Sequence, residues 1–210
     1  MTGAILWYAT RGAGAVSFIL LSSVVTLGIL SARRWRTAAW PRFLTVGLHR
    51  NLALLSVVFL ALHIVTAVVD PYTSLGWFAA LVPFSSYYRT FWLGLGVVAV
   101  DLFAALILTS LLRQTIGPRT WRLVHWVAYG CWPVALAHGL GTGTDSTRSW
   151  LLPIELVCIA MVLSALAARL LGWRRAHSHL APIPPSPASP APAPAWSGVA
   201  GTRSDEASRL

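Results

Sequence analysis

The chain has 210 residues, of which 56% are hydrophobic and 10% charged, and its mean hydropathy is +0.67. Soluble domains carry about 25% charged residues, so this composition indicates a membrane protein, with no length left outside the apolar runs for a nucleotide-binding domain. All 16 basic residues are arginines, which excludes a retinal protein because its Schiff base requires a lysine. The arginines lie between apolar runs rather than in one patch, which argues against nucleic-acid binding.

Five runs of about 20 apolar residues predict transmembrane helices. They are spans 1 to 5, at residues 4–31, 43–69, 90–112, 120–141 and 150–172. After Trp173, the stretch APIPPSPASPAPAPAWSG predicts disorder, because Pro, Ala and Ser cannot build a core. The predicted fold is an all-α membrane protein. Residues 1–173 form a five-span transmembrane helical bundle, and residues 174–210 form a cytoplasmic, disordered Pro/Ala-rich tail.

The distribution of arginines predicts the orientation in a bacterial plasma membrane. The segments after spans 1, 3 and 5 are rich in arginine, whereas those after spans 2 and 4 each contain one acidic and one basic residue. The arginines of the first group are Arg33, Arg34, Arg36, Arg42, Arg113, Arg119, Arg174 and Arg175. The positive-inside rule therefore places the N-terminus outside and the C-terminus in the cytoplasm.

Four of the six histidines lie inside spans 2 and 4. His49 and His63 are 14 residues apart in span 2, and His125 and His138 are 13 apart in span 4. Each separation corresponds to roughly 20 Å along a helix, which is most of the hydrocarbon thickness. Because both spans run from inside to outside, His49 is level with His125 and His63 with His138. We call these the inner pair and the outer pair.

Two imidazole pairs at two depths suit two b-type haems, each held by one histidine from each span. The phase of a straight helix agrees only for span 2, since 13 residues leave His138 about 140° away from His125. Gly130 and Pro133 lie between them, and proline commonly kinks a helix. The alternative is that the histidines link helices or handle protons in a haem-free protein, such as a small transporter.

Arg11 and Arg50 are candidate partners for the anionic haem propionates. Each lies just inside a span, where an unpaired charge is expensive. Further arginines near the span ends could bind propionates or equally reach the lipid headgroups. They are Arg89, Arg119, Arg122 and Arg148.

Two other features leave alternatives open. Asp101, near the middle of span 3, has no cation four positions away. It could relay protons or accept a hydrogen bond from Ser or Thr of another span. The apolar stretch Leu75–Leu81 predicts a short helix on the outer membrane surface, acting as a lid or as a docking site.

The segments HRNLALLSVVFLALH of span 2 and HWVAYGCWPVALAH of span 4 resemble the ferric reductase-like transmembrane domain. That superfamily includes NADPH oxidases, ferric reductases and the haem-binding membrane subunit of the methionine sulfoxide reductase system. The resemblance covers about residues 5–172, and HGLGTGTD is similar to the end of short bacterial members. It implies haem b at His49 with His125 and at His63 with His138, and electron flow from a cytoplasmic donor to an outer acceptor.

The resemblance also has implications for partners. NADPH oxidases and ferric reductases carry a C-terminal flavin and NADPH module, whereas here a Pro/Ala-rich tail follows span 5. A separate flavoprotein or a membrane quinol is therefore the expected electron donor. With a ferric chelate as acceptor, the chain would be a metalloreductase-like oxidoreductase subunit. With an outer-face acceptor protein, it would be a relay to a separate extracytoplasmic reductase.

Overall fold

The computed structural model describes residues 2–31, 42–71, 75–142 and 150–178. These residues form seven helices and no strand, which confirms the all-α prediction. The helices are α1 (Thr2–Ser31), α2 (Arg42–Val69), α3 (Trp77–Leu81), α4 (Thr90–Leu111), α5 (Arg113–His125), α6 (Ala128–Thr142) and α7 (Leu151–Ser178). The predicted disordered tail lies outside the described residues, except for residues 174–178, which continue α7.

Four helices of the described ranges are long and apolar enough to cross a membrane, so the chain is a multi-pass membrane protein. They are Ala4–Ser31, Phe43–Val69, Thr90–Leu111 and Leu151–Arg174, which correspond to predicted spans 1, 2, 3 and 5. The predicted count of five continuous spans is not confirmed. The predicted fourth span, residues 120–141, is helical but divided between α5 and α6.

The division of this span lies at residues 126–127. Pro133, six residues further along, lies inside α6 and leaves the carbonyl of Tyr129 without its helical N–H partner. The backbone tightens at the division, because Val127 N bonds to Val124 O and Gly130 N to Val127 O, both at 2.9 Å. These bonds join residues three apart, as in a 3₁₀-helix, rather than four apart as in an α-helix. The helix is therefore interrupted at residues 126–127.

The helices form two groups that share α6. One group is α1 packed against α2, α6 and α7, and the other is α4 packed against α5 and α6. The buried residues between α1, α6 and α7 are Ile29, Trp132, Val162 and Ala165. Those between α4 and α6 are Phe103, Leu106 and Cys131. Many apolar side chains of α2 are exposed, among them Leu54, Val58 and Val65, as expected of a surface in contact with lipid.

Trp132 joins α6 to α1. Its Nε1 donates a hydrogen bond of 2.9 Å to Ser22 Oγ, and its indole stacks on Phe18 with ring centroids 6.0 Å apart. We predict that Trp132→Phe lowers the free energy of unfolding by about 1 kcal/mol, because it removes a buried hydrogen bond and keeps an aromatic ring. Unfolding in mixed detergent micelles measures the loss.

Trp126→Phe provides the matched control, since the Trp126 side chain is 62% exposed. It is expected to leave the unfolding free energy unchanged within a few tenths of a kcal/mol. Equal losses in the two variants would contradict a special contribution from the bond between Trp132 and Ser22.

Candidate functional site

The structure brings the four histidines of predicted spans 2 and 4 together in two pairs. In the inner pair, the ring centroids of His49 and His125 are 6.4 Å apart, and in the outer pair those of His63 and His138 are 6.3 Å apart. Imidazole nitrogens bind first-row metals at about 2 Å. Two rings that bind one metal from opposite sides therefore have centroids roughly 6 Å apart. Each pair has the spacing of two axial ligands around one metal ion.

The interruption between α5 and α6 makes both pairs possible. On one straight helix, His138 would point about 140° away from His125. In the structure His125 is the last residue of α5 and His138 belongs to α6, with the tightened turn at residues 126–127 between them. The two rings thus take independent directions, and each faces a histidine of the continuous helix α2.

Three of the four imidazoles are held by a backbone carbonyl of a neighbouring helix. A carbonyl oxygen only accepts, so the Nδ1 atom donates in each case and carries the hydrogen. Nε2 of the same ring is then unprotonated and available as a ligand. The three bonds are His49 Nδ1 to Val24 O (3.1 Å), His63 Nδ1 to Thr10 O (2.8 Å) and His138 Nδ1 to Trp92 O (2.8 Å).

Each of these carbonyls is followed, four residues later, by a glycine that faces the histidine ring. A Cβ atom at Gly14 would lie 2.9 Å from His63 Nδ1, and one at Gly96 would lie 2.5 Å from His138 Nδ1. Both distances are too short for a side chain. At Gly28 the added atom would be 3.6 Å from the His49 ring, which is an ordinary contact. The outer pair therefore depends on glycine more strictly than the inner pair.

His125 differs from the other three histidines. Its Nδ1 atom is buried and has no hydrogen-bond partner in the part of the chain that the structure describes. The ring instead stacks on Trp121 of the same helix, with centroids 4.8 Å apart and an interplanar angle of 28°. Aromatic contact, rather than a carbonyl, orients this fourth imidazole.

The outer pair opens onto two adjoining cavities, of about 240 Å³ and about 890 Å³. Arg11 lines both, beside His63 and His138, and its guanidinium lies 4.1 Å from the centre of the Trp7 ring. A cation at the mouth of a largely apolar cavity suits a ligand with an apolar body and anionic ends. Arg11 therefore lies beside the outer pair, and its role as a propionate partner stays a prediction.

The other predicted arginines have different surroundings. The Arg50 side chain is exposed on α2. Arg89 Nη1 donates to Gly141 O at 2.6 Å, which ties the start of α4 to the end of α6. Arg119 and Arg122 are exposed on α5. Arg148 lies outside the described residues.

Sequence reasoning missed two carboxylates near the outer pair. Asp70 ends the α2 segment with 3% exposure and lines the larger cavity. Glu155 of α7 lines the smaller one, and its Oε1 lies 3.1 Å from where a Cβ of Gly139 would be. Both carboxylates could have been noticed in the sequence, because Asp70 directly precedes a proline at the end of span 2 and Glu155 interrupts an apolar span. Asp101, by contrast, is exposed on α4 and lines neither cavity.

The comparison with protein families agrees with this geometry. The model of the family described as ferric reductase like transmembrane component matches residues 13–136, which is more than half of the chain. The chain belongs to this family. The match includes three of the four paired histidines, and His138 lies just beyond it. No curated protein and no solved structure matches the chain.

Membership of the ferric reductase-like family indicates electron transfer in a membrane, and this family typically binds haem. The residues fit that cofactor. Each pair offers two imidazoles, the number of protein ligands that a haem iron accepts on its two faces. Among the described residues, no group of three or more His, Cys, Asp or Glu side chains could hold a bare metal ion. The glycines at the outer pair leave the imidazole rings room to lie against the helices.

The glycine contacts predict different outcomes for two alanine substitutions. Gly96→Ala is expected to displace the His138 ring and lower haem content by about half, because the added atom overlaps the ring. Gly28→Ala, with its ordinary contact to His49, is the matched control and should keep the full content. Pyridine haemochrome assays on the two purified variants measure the difference. Equal haem content would show that close approach at Gly96 is dispensable.

Proposed function

We propose that the chain is a transmembrane electron-transfer cytochrome b of the ferric reductase-like family, with two stacked haems b. The main support for this proposal is the arrangement of four imidazoles in two pairs, each with ring centroids 6.3–6.4 Å apart. The 14 residues between His49 and His63 correspond to about 21 Å along α2. Two sites at that separation lie near opposite faces of the hydrocarbon layer. When bound, haem supplies reversible one-electron chemistry.

The residues of the chain hold the cofactor in two layers. His49, His63, His125 and His138 are the iron ligands, and they come from α2 and from the broken pair α5 and α6. Around them, α1 and α4 contribute the carbonyls that orient three imidazoles. Such bonds fix the tautomer and raise the basicity of the ligating nitrogen. Arg11 is the proposed propionate partner at the outer site, whereas Arg50 is proposed at the inner site from its place in the sequence alone.

We propose that α5 and α6 cross the membrane together as one interrupted span. Residues 120–142 would cover about 33 Å at the helical rise, enough for the hydrocarbon layer. An interruption inside the bilayer is tolerated where the freed backbone groups are satisfied within the protein. Here the tightened turn between Val124 and Gly130 satisfies several of them. The proposed topology then has an outer N-terminus and a cytoplasmic C-terminus.

In this orientation, a cytoplasmic flavoprotein or a membrane quinol donates electrons at the inner side. The outer-face acceptor is a ferric chelate or a separate extracytoplasmic reductase. Four exposed arginines lie on α5 and α7, at the proposed cytoplasmic end of the bundle. They are Arg113, Arg119, Arg122 and Arg174. Their positive charge favours contact with an anionic surface of the donor or with anionic lipid headgroups.

The histidine pairs predict the number of haems. Wild-type protein is expected to bind about two haems per chain, and His63→Ala or His138→Ala is expected to remove about one, because a single imidazole remains at the outer site. Pyridine haemochrome assays of purified protein give the stoichiometry. Asp101→Asn is the matched control, since Asp101 is a polar residue of α4 that lines neither outer cavity.

Two results would contradict the proposal. Full haem retention in both histidine variants would rule out the outer pair as a ligand set. Wild-type protein without a reducible b-type spectrum would favour a haem-free membrane protein, such as a small transporter.

The proposed orientation predicts the accessibility of the connecting segments. A cysteine introduced by Thr144→Cys should react with a membrane-impermeant maleimide in intact cells, because the segment after α6 faces outward. Thr37→Cys, in the arginine-rich segment after α1, is the matched control and should react only after lysis. Both native cysteines are buried and give low background. The reverse labelling pattern would invert the proposed orientation.

A further inference from the structure

The bonds that orient the histidines follow one register in each group of helices. On α1, the acceptor carbonyls of Thr10 and Val24 are 14 residues apart, as are His63 and His49 on the antiparallel helix α2. On α4, Trp92 O accepts from His138. Cys131 Sγ, seven residues before His138, donates to Ala99 O, seven residues after Trp92, so α4 and α6 lie in one antiparallel register. Extended by sequence to His125, 13 residues before His138, this register assigns the carbonyl of Ala105.

The residue four positions after this carbonyl is a threonine instead of a glycine. Thr109 Oγ1 donates a hydrogen bond of 2.7 Å to Ala105 O. A helix carbonyl has two lone pairs, and the helix's own N–H occupies one of them. At Thr10, Val24 and Trp92 a histidine takes the second acceptor position. At Ala105 the Thr109 hydroxyl takes it.

This occupancy accounts for the buried Nδ1 atom of His125 that has no partner in the described residues. A buried donor without an acceptor is energetically costly, and its retention in a ligand set calls for a physical explanation. By register, the Ala105 carbonyl corresponds for His125 to Trp92 O for His138, and the Thr109 hydroxyl occupies its second acceptor position.

We propose that Thr109 is a positioning residue that raises the reduction potential of the inner haem by withholding the Ala105 carbonyl from His125. The inference rests on the proposed two-haem site. An Nδ1–H bond to a carbonyl makes an imidazole a stronger electron donor to iron, which stabilises the ferric state. Without that bond His125 is the weaker donor, so the ferrous state gains relative stability. The protein would thus change the reduction potential through hydrogen bonding to an iron ligand.

Three substitutions at one position test the proposal. Thr109→Ala and Thr109→Gly release the carbonyl, and Thr109→Gly also restores the arrangement found at the other three histidines. Thr109→Ser keeps the hydroxyl. A spectroelectrochemical titration of the purified full-length protein measures both midpoint potentials. We expect the alanine and glycine variants to lower one potential by about 59 mV, a tenfold change for a one-electron couple, and the serine variant to match wild type.

Two controls separate this effect from a loss of helix stability. Ser23→Ala removes a similar bond, from Ser23 Oγ to Ile19 O at 2.8 Å on α1, and should leave both potentials unchanged. The His63→Ala background, which is expected to hold the inner haem alone, assigns the shifted potential. A shift in that background supports the proposal.

The outcomes also separate this inference from the proposed function. Unchanged potentials in the alanine and glycine variants, with two haems bound, overturn the role of Thr109 and leave the two-haem site intact. A fall of the same size in Thr109→Ser likewise overturns the role of the hydroxyl. Wild-type protein that binds no haem overturns both.

Discussion

Three of the four paired imidazoles depend on one constraint, the need of an imidazole N–H inside a membrane span for a hydrogen-bond acceptor. A neutral histidine has one N–H, and leaving it unpaired in hydrocarbon is costly. Helices use their carbonyls for their own N–H groups, so a neighbouring helix can offer only a second lone pair. His63 on Thr10 and His138 on Trp92, both at 2.8 Å, meet this requirement. These bonds fix how α1 lies against α2 and how α4 lies against α6.

The constraint explains the placement of small residues and of the interrupted span. An imidazole ring can reach a helix carbonyl only where no side chain of that helix stands in the way, and Gly14 and Gly96 leave that space. The ring must also point at a partner in α2, which a straight helix would prevent at one of two positions 13 residues apart. The break at residues 126–127 releases the direction of His138 from that of His125. A defect in regular structure thus completes the site.

The sequence was sufficient for the helical class, for four of the spans and for the family, because long apolar runs and the spacing of His49 and His63 are local patterns. It was insufficient for the fourth predicted span, where the break falls at residues 126–127 and the helix continues through Pro133. Glu155 escaped notice for a related reason. A single carboxylate hardly lowers the hydropathy of a span, and only the contact of α7 with the outer cavity reveals its place. Carbonyl acceptors cannot be read from residue type at all.

The two histidine pairs are alike in spacing and unlike in support, and that difference follows from which residue stands four positions after the acceptor. Glycine leaves the carbonyl to the imidazole, whereas Thr109 takes it with its own hydroxyl. The ring of His125 is oriented instead by stacking on Trp121. Stacking sets the plane of the imidazole ring without using its N–H as a hydrogen-bond donor. At His125 the ring is therefore oriented without a hydrogen bond, whereas at the other three histidines one bond sets both the ring direction and the tautomer. In the proposed two-haem arrangement, two chemically identical cofactors would thus have different surroundings without any change in the four histidines.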